Sequence, residues 1–395
     1  MNYKYDFTTV VDRSKMGSSK WEGMKKINPN VEDGIIPMSV ADMEFVTQPE
    51  IVTGLKKALD EKVLGYTSPT DSYYDSVISW MEKRHQWHIE KEWFTIIPGI
   101  VPAIRALISA FSEPGEGVVL LSPVYYPFYM VIEKNGNKVV TSPLIDTGCY
   151  YEIDFSNLEE KLSDPKNTIM ILCSPHNPVG RVWKKEELIK IADLCLKYNV
   201  LLINDEIHHD IIMPGYKHTV LAAIDEKYQD NVITCTSVSK TFNLAGMCVS
   251  NIIIKNEEYR TKLQDFFEDI FIRRVNALSY AAVEIAYNEC LPWLEEMISV
   301  VDENKKFAIE FLEKHFPKAK VYPMEGTYLL WIDFREVFDD YKEMERFMTQ
   351  DAQAFFDEGY IFGKEGEGFE RISLTCPKSV LADCLQRIVD AYNKK

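Results

Sequence analysis

NVLLINDEIHHDI, residues 199–211, decides the fold. Its opening run is apolar on successive residues, where a strand with one wet face would alternate, so both faces are expected to be covered. Similar short runs recur on both sides: TIIP (95–98), GVVLL (117–121), TIMILC (168–173), NVITCT (231–236) and SNIII (250–254). Most are separated by stretches of helical period, which makes this an α/β pattern: a largely parallel sheet between helices, with ligands gathering at the carboxyl ends of the strands.

After about residue 285 the pattern lengthens into helices. From Lys378 onward Leu381, Cys384, Leu385, Ile388, Val389 and Tyr392 form one apolar stripe. VYPMEGTYLLWIDF (321–334) and ERISLT (370–375) read as strands of a smaller α+β unit. The expected division is a large domain over 46–285 and a small one over 286–395, with residues 1–45 returning to pack on the small domain.

Composition narrows the function classes. With 44 basic and 61 acidic residues the formal charge is -17, so a nucleic-acid backbone is repelled and no nucleic-acid partner is expected. No stretch approaches the roughly 20 apolar residues that cross a bilayer, and the start MNYKYDFTTVVDRSK lacks the build of a secretory signal; a cytoplasmic protein without a membrane partner is expected. The eight cysteines contain no Cys-x-x-Cys pair, which points to buried free thiols instead of disulfides or structural zinc.

Three segments carry chemistry. In TCTSVSKTFNLAGM (234–247) a β-rich run ends in a turn bearing Ser237, Ser239 and Lys240. A lysine there can form an imine with an aldehyde, and the hydroxyls can donate to a phosphate; a surface lysine in a polar loop has the same local sequence. In NVLLINDEIHHDI the strand delivers Asp205, which can pair with a protonated pyridine nitrogen or simply cap a helix. In ILCSPHNPVGRVWKKEEL (171–188) a strand meets an Asn-Pro turn and then a helix from near Lys184; Asn177 can bond a phenolic oxygen or merely form the turn.

SPHNPVG, NDEIHHD, SVSKTFNLAG and RISLT, in this order and spacing, resemble the class I/II aminotransferase family of fold-type-I pyridoxal 5'-phosphate enzymes. SVADMEF, GYTSPT, SPVYYPFY and DEIHHD resemble its cystathionine β-lyase and cystalysin branch. The resemblance implies a mostly parallel seven-stranded sheet and a homodimer. By the same resemblance Lys240 carries the cofactor, Asp205 meets the pyridine nitrogen, Asn177 meets the ring hydroxyl and Tyr125 stacks on the ring. The amides of Gly99, Ile100 and Val101, in PGIVPAIRAL, meet the phosphate at a helix start, and Tyr66 is lent to the neighbouring subunit's phosphate. Arg371 clamps the amino-acid carboxylate by a two-bond fork, with Tyr126 beside the substrate; without the other motifs, an arginine in this strand would read as a surface ion pair.

Two positions depart from the transaminase pattern. His208 stands where a tyrosine is usual, and it too can reach the ring oxygen. Cys248 replaces a phosphate-binding arginine, which shifts the phosphate onto Ser237, Ser239, Tyr66 and backbone amides. The resemblance implies α,β-elimination on an S-substituted cysteine such as cystathionine, with transamination the alternative. A cofactor-sensing transcription regulator would need an N-terminal helix-turn-helix unit, for which no room remains before motifs that begin near residue 40.

Other signals are set aside. Glu206, His208 and Asp210 alternate along an apparent strand face with His209 and His218 near, but residues used on a pyridine ring are not free to ligate, so no metal is expected. His85 and His88, three apart on an expected helix, read as ordinary partly exposed histidines. GKEGEGFE (363–370) reads as a mobile acidic loop, and PGEG (114–117) as a turn.

Overall fold

The computed structural model describes residues 3–61, 63–270 and 275–395. Its strands, in chain order, are β1 (Phe94–Ile97), β2 (Gly117–Ser122), β3 (Lys138–Pro143), β4 (Ile145–Asp146), β5 (Tyr151–Glu152), β6 (Asn167–Cys173), β7 (Leu201–Asp205), β8 (Val232–Thr236), β9 (Ser250–Ile253), β10 (Lys320–Val321), β11 (Leu329–Asp333), β12 (Asp357–Glu358) and β13 (Phe369–Ser373). Seven of them form one sheet in the order β1-β9-β8-β7-β6-β2-β3, with β9 antiparallel to both neighbours and the remaining pairs parallel. β4 and β5 make a separate ribbon, and β10-β11-β13-β12 a small antiparallel sheet.

Each apolar run is covered on both faces because successive residues enter different cores. Ile169 and Ile171 of β6 pack with the helices Ile100–Phe111, Pro127–Lys134 and Glu257–Asp269, while Met170 and Leu172 join the core that holds helix Lys185–Lys197. From β2 the chain crosses to β3 on one side, and from β6 it crosses to β7 on the other. The adjacent ends of β2 and β6 therefore flank a topological switch point, the crevice in which open α/β sheets bind ligands. β3 is absent from the expected runs because its side chains are only half-buried.

The amino-terminal segment is stitched to the carboxyl-terminal third. Met38 N–H donates to Phe355 O at 2.8 Å, Ser373 N–H to Met38 O at 2.9 Å, and Glu44 N–H to Thr375 O at 2.8 Å. A buried ion cluster anchors it: Lys20 Nζ lies 2.9 Å from both Asp42 Oδ1 and Glu44 Oε1, and Arg13 reaches the same two carboxylates. Removing one member strands a buried charge, so Lys20→Met is expected to destabilise the protein by about 3 kcal/mol, toward the low end because Arg13 still reaches Glu44. Urea unfolding of the two proteins measures this; an unchanged midpoint would make the cluster energetically idle.

Three expectations are corrected. DEIHHD is not a strand with alternating faces, because β7 ends at Asp205 and a turn follows. Helix Asp71–His85 stops before His88, and His85, far from being an ordinary exposed histidine, sends its ring into the interior, with Nε2 2.8 Å from Asp210. GKEGEGFE is tied down: Glu365 accepts from Ser122 Oγ at 3.1 Å, Val124 N–H donates to Phe362 O at 2.9 Å, and the backbones of Gly359 and Gly366 touch so closely that neither tolerates a Cβ. Six of the eight cysteines are buried free thiols, whereas Cys149 and Cys248 are exposed. Among the described residues, no helix is long and apolar enough to cross a membrane.

Candidate active site

The carboxyl ends of β1, β2, β6, β7 and β8 all point to one edge, where they open a cavity of about 360 Å³. Each strand contributes a lining residue at or just past its end: Gly99, Tyr125, Asn177, Asp205 and Lys240 respectively. Arg371 enters from β13 of the small sheet, and Val40 and Ala41 from the amino-terminal segment.

Local structure fixes each group. Ser237 caps the one-turn helix Val238–Thr241, its Oγ accepting from Ser239 N–H at 3.1 Å, and Thr241 Oγ donates to Asp210 at 2.8 Å, so Lys240 stands on a braced turn. Lys240 Nζ donates to Ala41 O at 2.7 Å. The Asn-Pro turn is shaped by Gly180, where a φ of +75° would strain any side chain and a Cβ would crowd the Met324 backbone, and it is locked by Arg181 against Glu187 and Glu325. Asp205, at the centre of the sheet between Cys173 and Cys235, accepts from Ile207 N–H at 3.1 Å.

Burial sets the electrostatics. Desolvation raises the Asp205 carboxyl to about 7. Desolvation first, and then the Arg371 cation, lower the Lys240 ammonium to about 8, so more of it is neutral at physiological pH than in an exposed lysine. His208 is held well below the usual imidazole value by burial and by Lys240 and Arg371, which leaves a neutral ring. Its Nδ1 is buried without a hydrogen-bond partner, as is Arg371 Nε. Arg371 Nη1 donates to Asn177 Oδ1 at 2.8 Å, and Nη2 contacts Asp357.

The cavity gathers Gly99, Ile100, Val101, Tyr125, Tyr126, Asn177, Asp205, His208, Ser239, Lys240 and Arg371 from the expected set. Two expectations change in detail. Ser237 does not line the cavity: its hydroxyl serves the cap and contacts Val249 O at 2.7 Å and Ser239 Oγ at 2.8 Å, which leaves Ser239 as the serine facing the space. Gly99 N–H donates to Ile97 O at 2.9 Å, so the amides left for an anion are those of Ile100 and Val101, in the first turn of helix Ile100–Phe111. Tyr66 lies outside the cavity and is fully exposed.

Sequence reasoning missed Asp357, whose place beside Arg371 follows from the β12–β13 register and not from any motif. Of the polar cluster beneath the site it singled out Glu206, Asp210, His209 and His218 but not the partners that helix Asp71–His85 brings to them. There Asp210 takes contacts from Trp80, Arg84, His85, His209 and Thr241, and Glu206 lies 3.1 Å from His218. His85, His209 and Asp210 have the grouping of metal ligands, but Arg84 already balances the charge of Asp210.

The groups that line the cavity suit one kind of guest. An unpaired buried carboxylate, an amine, a neutral imidazole with a free ring nitrogen, an aromatic face at Tyr125 and a helix start with spare amides match an aromatic aldehyde bearing a ring nitrogen, a ring hydroxyl and a phosphate. Pyridoxal 5'-phosphate has these parts.

Comparison with known proteins agrees. The family model "Aminotransferase class I and II" matches residues 33–388. Cystathionine beta-lyase PatB of Bacillus subtilis is 39% identical, over 98% of this chain and 100% of its own. The structure of cystalysin from Treponema denticola, which contains a pyridoxal 5'-phosphate cofactor, is 49% identical and covers 99% of each chain with a TM-score of 0.97. A pyridoxal-phosphate-bound C–S lyase from Staphylococcus hominis is 34% identical, covers 98% of each chain and has a TM-score of 0.90. With the matched segment running through every strand that lines the cavity, the chain belongs to the class I and II aminotransferase family.

Proposed function

We propose that this protein is a pyridoxal-phosphate-dependent C–S β-lyase that converts cystathionine or a related S-substituted cysteine, with one water, into a thiol, pyruvate and ammonium. The observation that carries the reading is the meeting of Lys240, Asp205 and Arg371 in one cavity at the switch point of the sheet. Full-length relatives named as cystathionine β-lyase and cystalysin support the choice of reaction.

When bound, the cofactor supplies an electron sink for the bond to the α-hydrogen. Lys240 would hold it covalently, Asp205 would keep a proton on its ring nitrogen, and Asn177 and His208 would meet the ring oxygen. Tyr125 would cover the ring, while Ser239 and the amides of Ile100 and Val101 would take the phosphate. Asp205 and the ring nitrogen would form an ion pair sealed from water, which is where such a pair is strongest. Lys240, once free, is the base that removes the α-proton, and its lowered proton affinity suits that task near neutral pH. The sulfur departs with the electron pair of the Cβ–S bond and takes up a proton as thiol.

Arg371 binds the α-carboxylate through a planar fork that a lysine cannot copy. Arg371→Lys is expected to raise KM for the amino acid about tenfold or more with a smaller change in kcat, as steady-state kinetics would record. An unchanged KM would remove Arg371 from substrate binding.

We place Tyr66 at the active site of a second copy in a homodimer, since its ring stands wholly in solvent on one chain. Buried free thiols suit the cytoplasm. The deciding experiment incubates the cofactor-loaded protein with cystathionine and follows pyruvate and thiol against amino transfer to a 2-oxo acid. Stoichiometric pyruvate supports the lyase; transfer without pyruvate makes the protein an aminotransferase.

A further inference from the structure

Asp357 is an acid placed where an amino-acid site has most reason to avoid one. It stands opposite Arg371 in the β12–β13 ladder, contacts the guanidinium that binds carboxylate, and lines the cavity. It is also held from a second side: Val40 N–H donates to it at 2.8 Å, and Val40 itself carries a φ of +49°, a left-handed conformation that costs a β-branched residue energy and persists only under constraint. Both contacts use Oδ2, and no hydrogen bond among the described residues uses Oδ1.

Among the described residues lining the cavity, the cationic side chains are Lys240 and Arg371, and the proposed chemistry engages both. A second carboxylate on the substrate, unless an ammonium beside it balances the charge, would meet no spare cation there and one fixed anion. A second ammonium would meet the free oxygen of that anion. We propose that Asp357 is a charge filter on the side chain of the substrate, admitting S-substituted cysteines whose departing group is neutral, zwitterionic like that of cystathionine, or cationic, and rejecting those whose departing group carries a carboxylate with no ammonium of its own to balance it. This rests on the reading of the cavity as an amino-acid site. Through the same repulsion it turns away aspartate and glutamate, so the filter acts against dicarboxylate amino transfer as well.

The test uses the cofactor-loaded protein and three conjugates of similar length: S-(2-aminoethyl)-, S-(2-hydroxyethyl)- and S-(carboxymethyl)-L-cysteine. Binding is read from the change in cofactor absorbance, and turnover from thiol release. The wild type is expected to bind them in the order cationic, neutral, anionic. Asp357→Asn should shift the cationic-to-anionic affinity ratio toward the anion by about tenfold or more, and Asp357→Glu should keep the wild-type order. A purely structural role would change all three ligands together and leave the ratio alone. A wild-type preference for the carboxymethyl conjugate, or a ratio that Asp357→Asn leaves within threefold, overturns the filter. Should the ratio shift while no thiol is released from any conjugate, the filter stands and the lyase reading falls.

Discussion

Lys240→Ala is expected to lower turnover of an S-substituted cysteine on the order of 10³- to 10⁴-fold while leaving the fold intact. The substitution removes the group proposed both to hold the cofactor and to take the α-proton, and a positioned base alone contributes up to about 10⁴. The turn beneath it does not depend on the amine: Ser237 caps it, and Asp210 and Thr241 brace it from below. Near-native circular dichroism with activity lost is therefore the expected pair of results. Adding a small primary amine should restore part of the proton transfer, since the cavity left by the side chain opens on the reacting carbon. Activity within tenfold of wild type would assign the chemistry to another residue.

Asp205→Asn should also lower kcat, on the order of 10²- to 10³-fold, because an amide cannot hold the ring nitrogen in its protonated form. It makes a second, independent mark on stability. In the cofactor-free protein the Asp205 carboxyl titrates near 7, above its ordinary 3.8, so the folded state binds that proton more tightly than the unfolded state does. Its contribution is fully present below about pH 4 and is lost as pH rises through 7. The cofactor-free wild type should thus lose urea stability between pH 5 and pH 8 relative to Asp205→Asn, and a bound cation over the carboxylate should abolish that difference. Parallel pH profiles for the two cofactor-free proteins would contradict the placement of Asp205 as an unpaired buried acid.

The large sheet was legible in the sequence because its strands are buried on both faces, which turns NVLLIN, GVVLL and TIMILC into unbroken apolar runs. β3, half-buried at the edge, carries no such signature, and β12 is too short to carry any. Lys240, Asp205 and Asn177, the residues proposed to hold the cofactor, stand out in the sequence because each sits at or just past the end of such a run. The sequence is silent where a side chain's direction depends on tertiary contacts. That the Ser237 hydroxyl caps a helix and that Gly99 N–H donates to Ile97 O are contacts the motifs do not reveal. His85 looked solvated because its partners, His209 and Asp210, lie well over a hundred residues along the chain. Asp357 was invisible for a different reason: it lies 14 residues before Arg371 with no motif to mark it, and only strand pairing sets the two side by side.

Both large effects rest on the amine at 240 forming a covalent bond with an aldehyde bound over Asp205. Borohydride reduction of the cofactor-loaded protein, digestion and mass mapping test that bond directly. The expected result is one pyridoxyl phosphate on the peptide that contains Lys240, and none on the Lys240→Ala protein. The modification on any other lysine, or its survival in Lys240→Ala, would contradict the assignment on which the proposed chemistry stands.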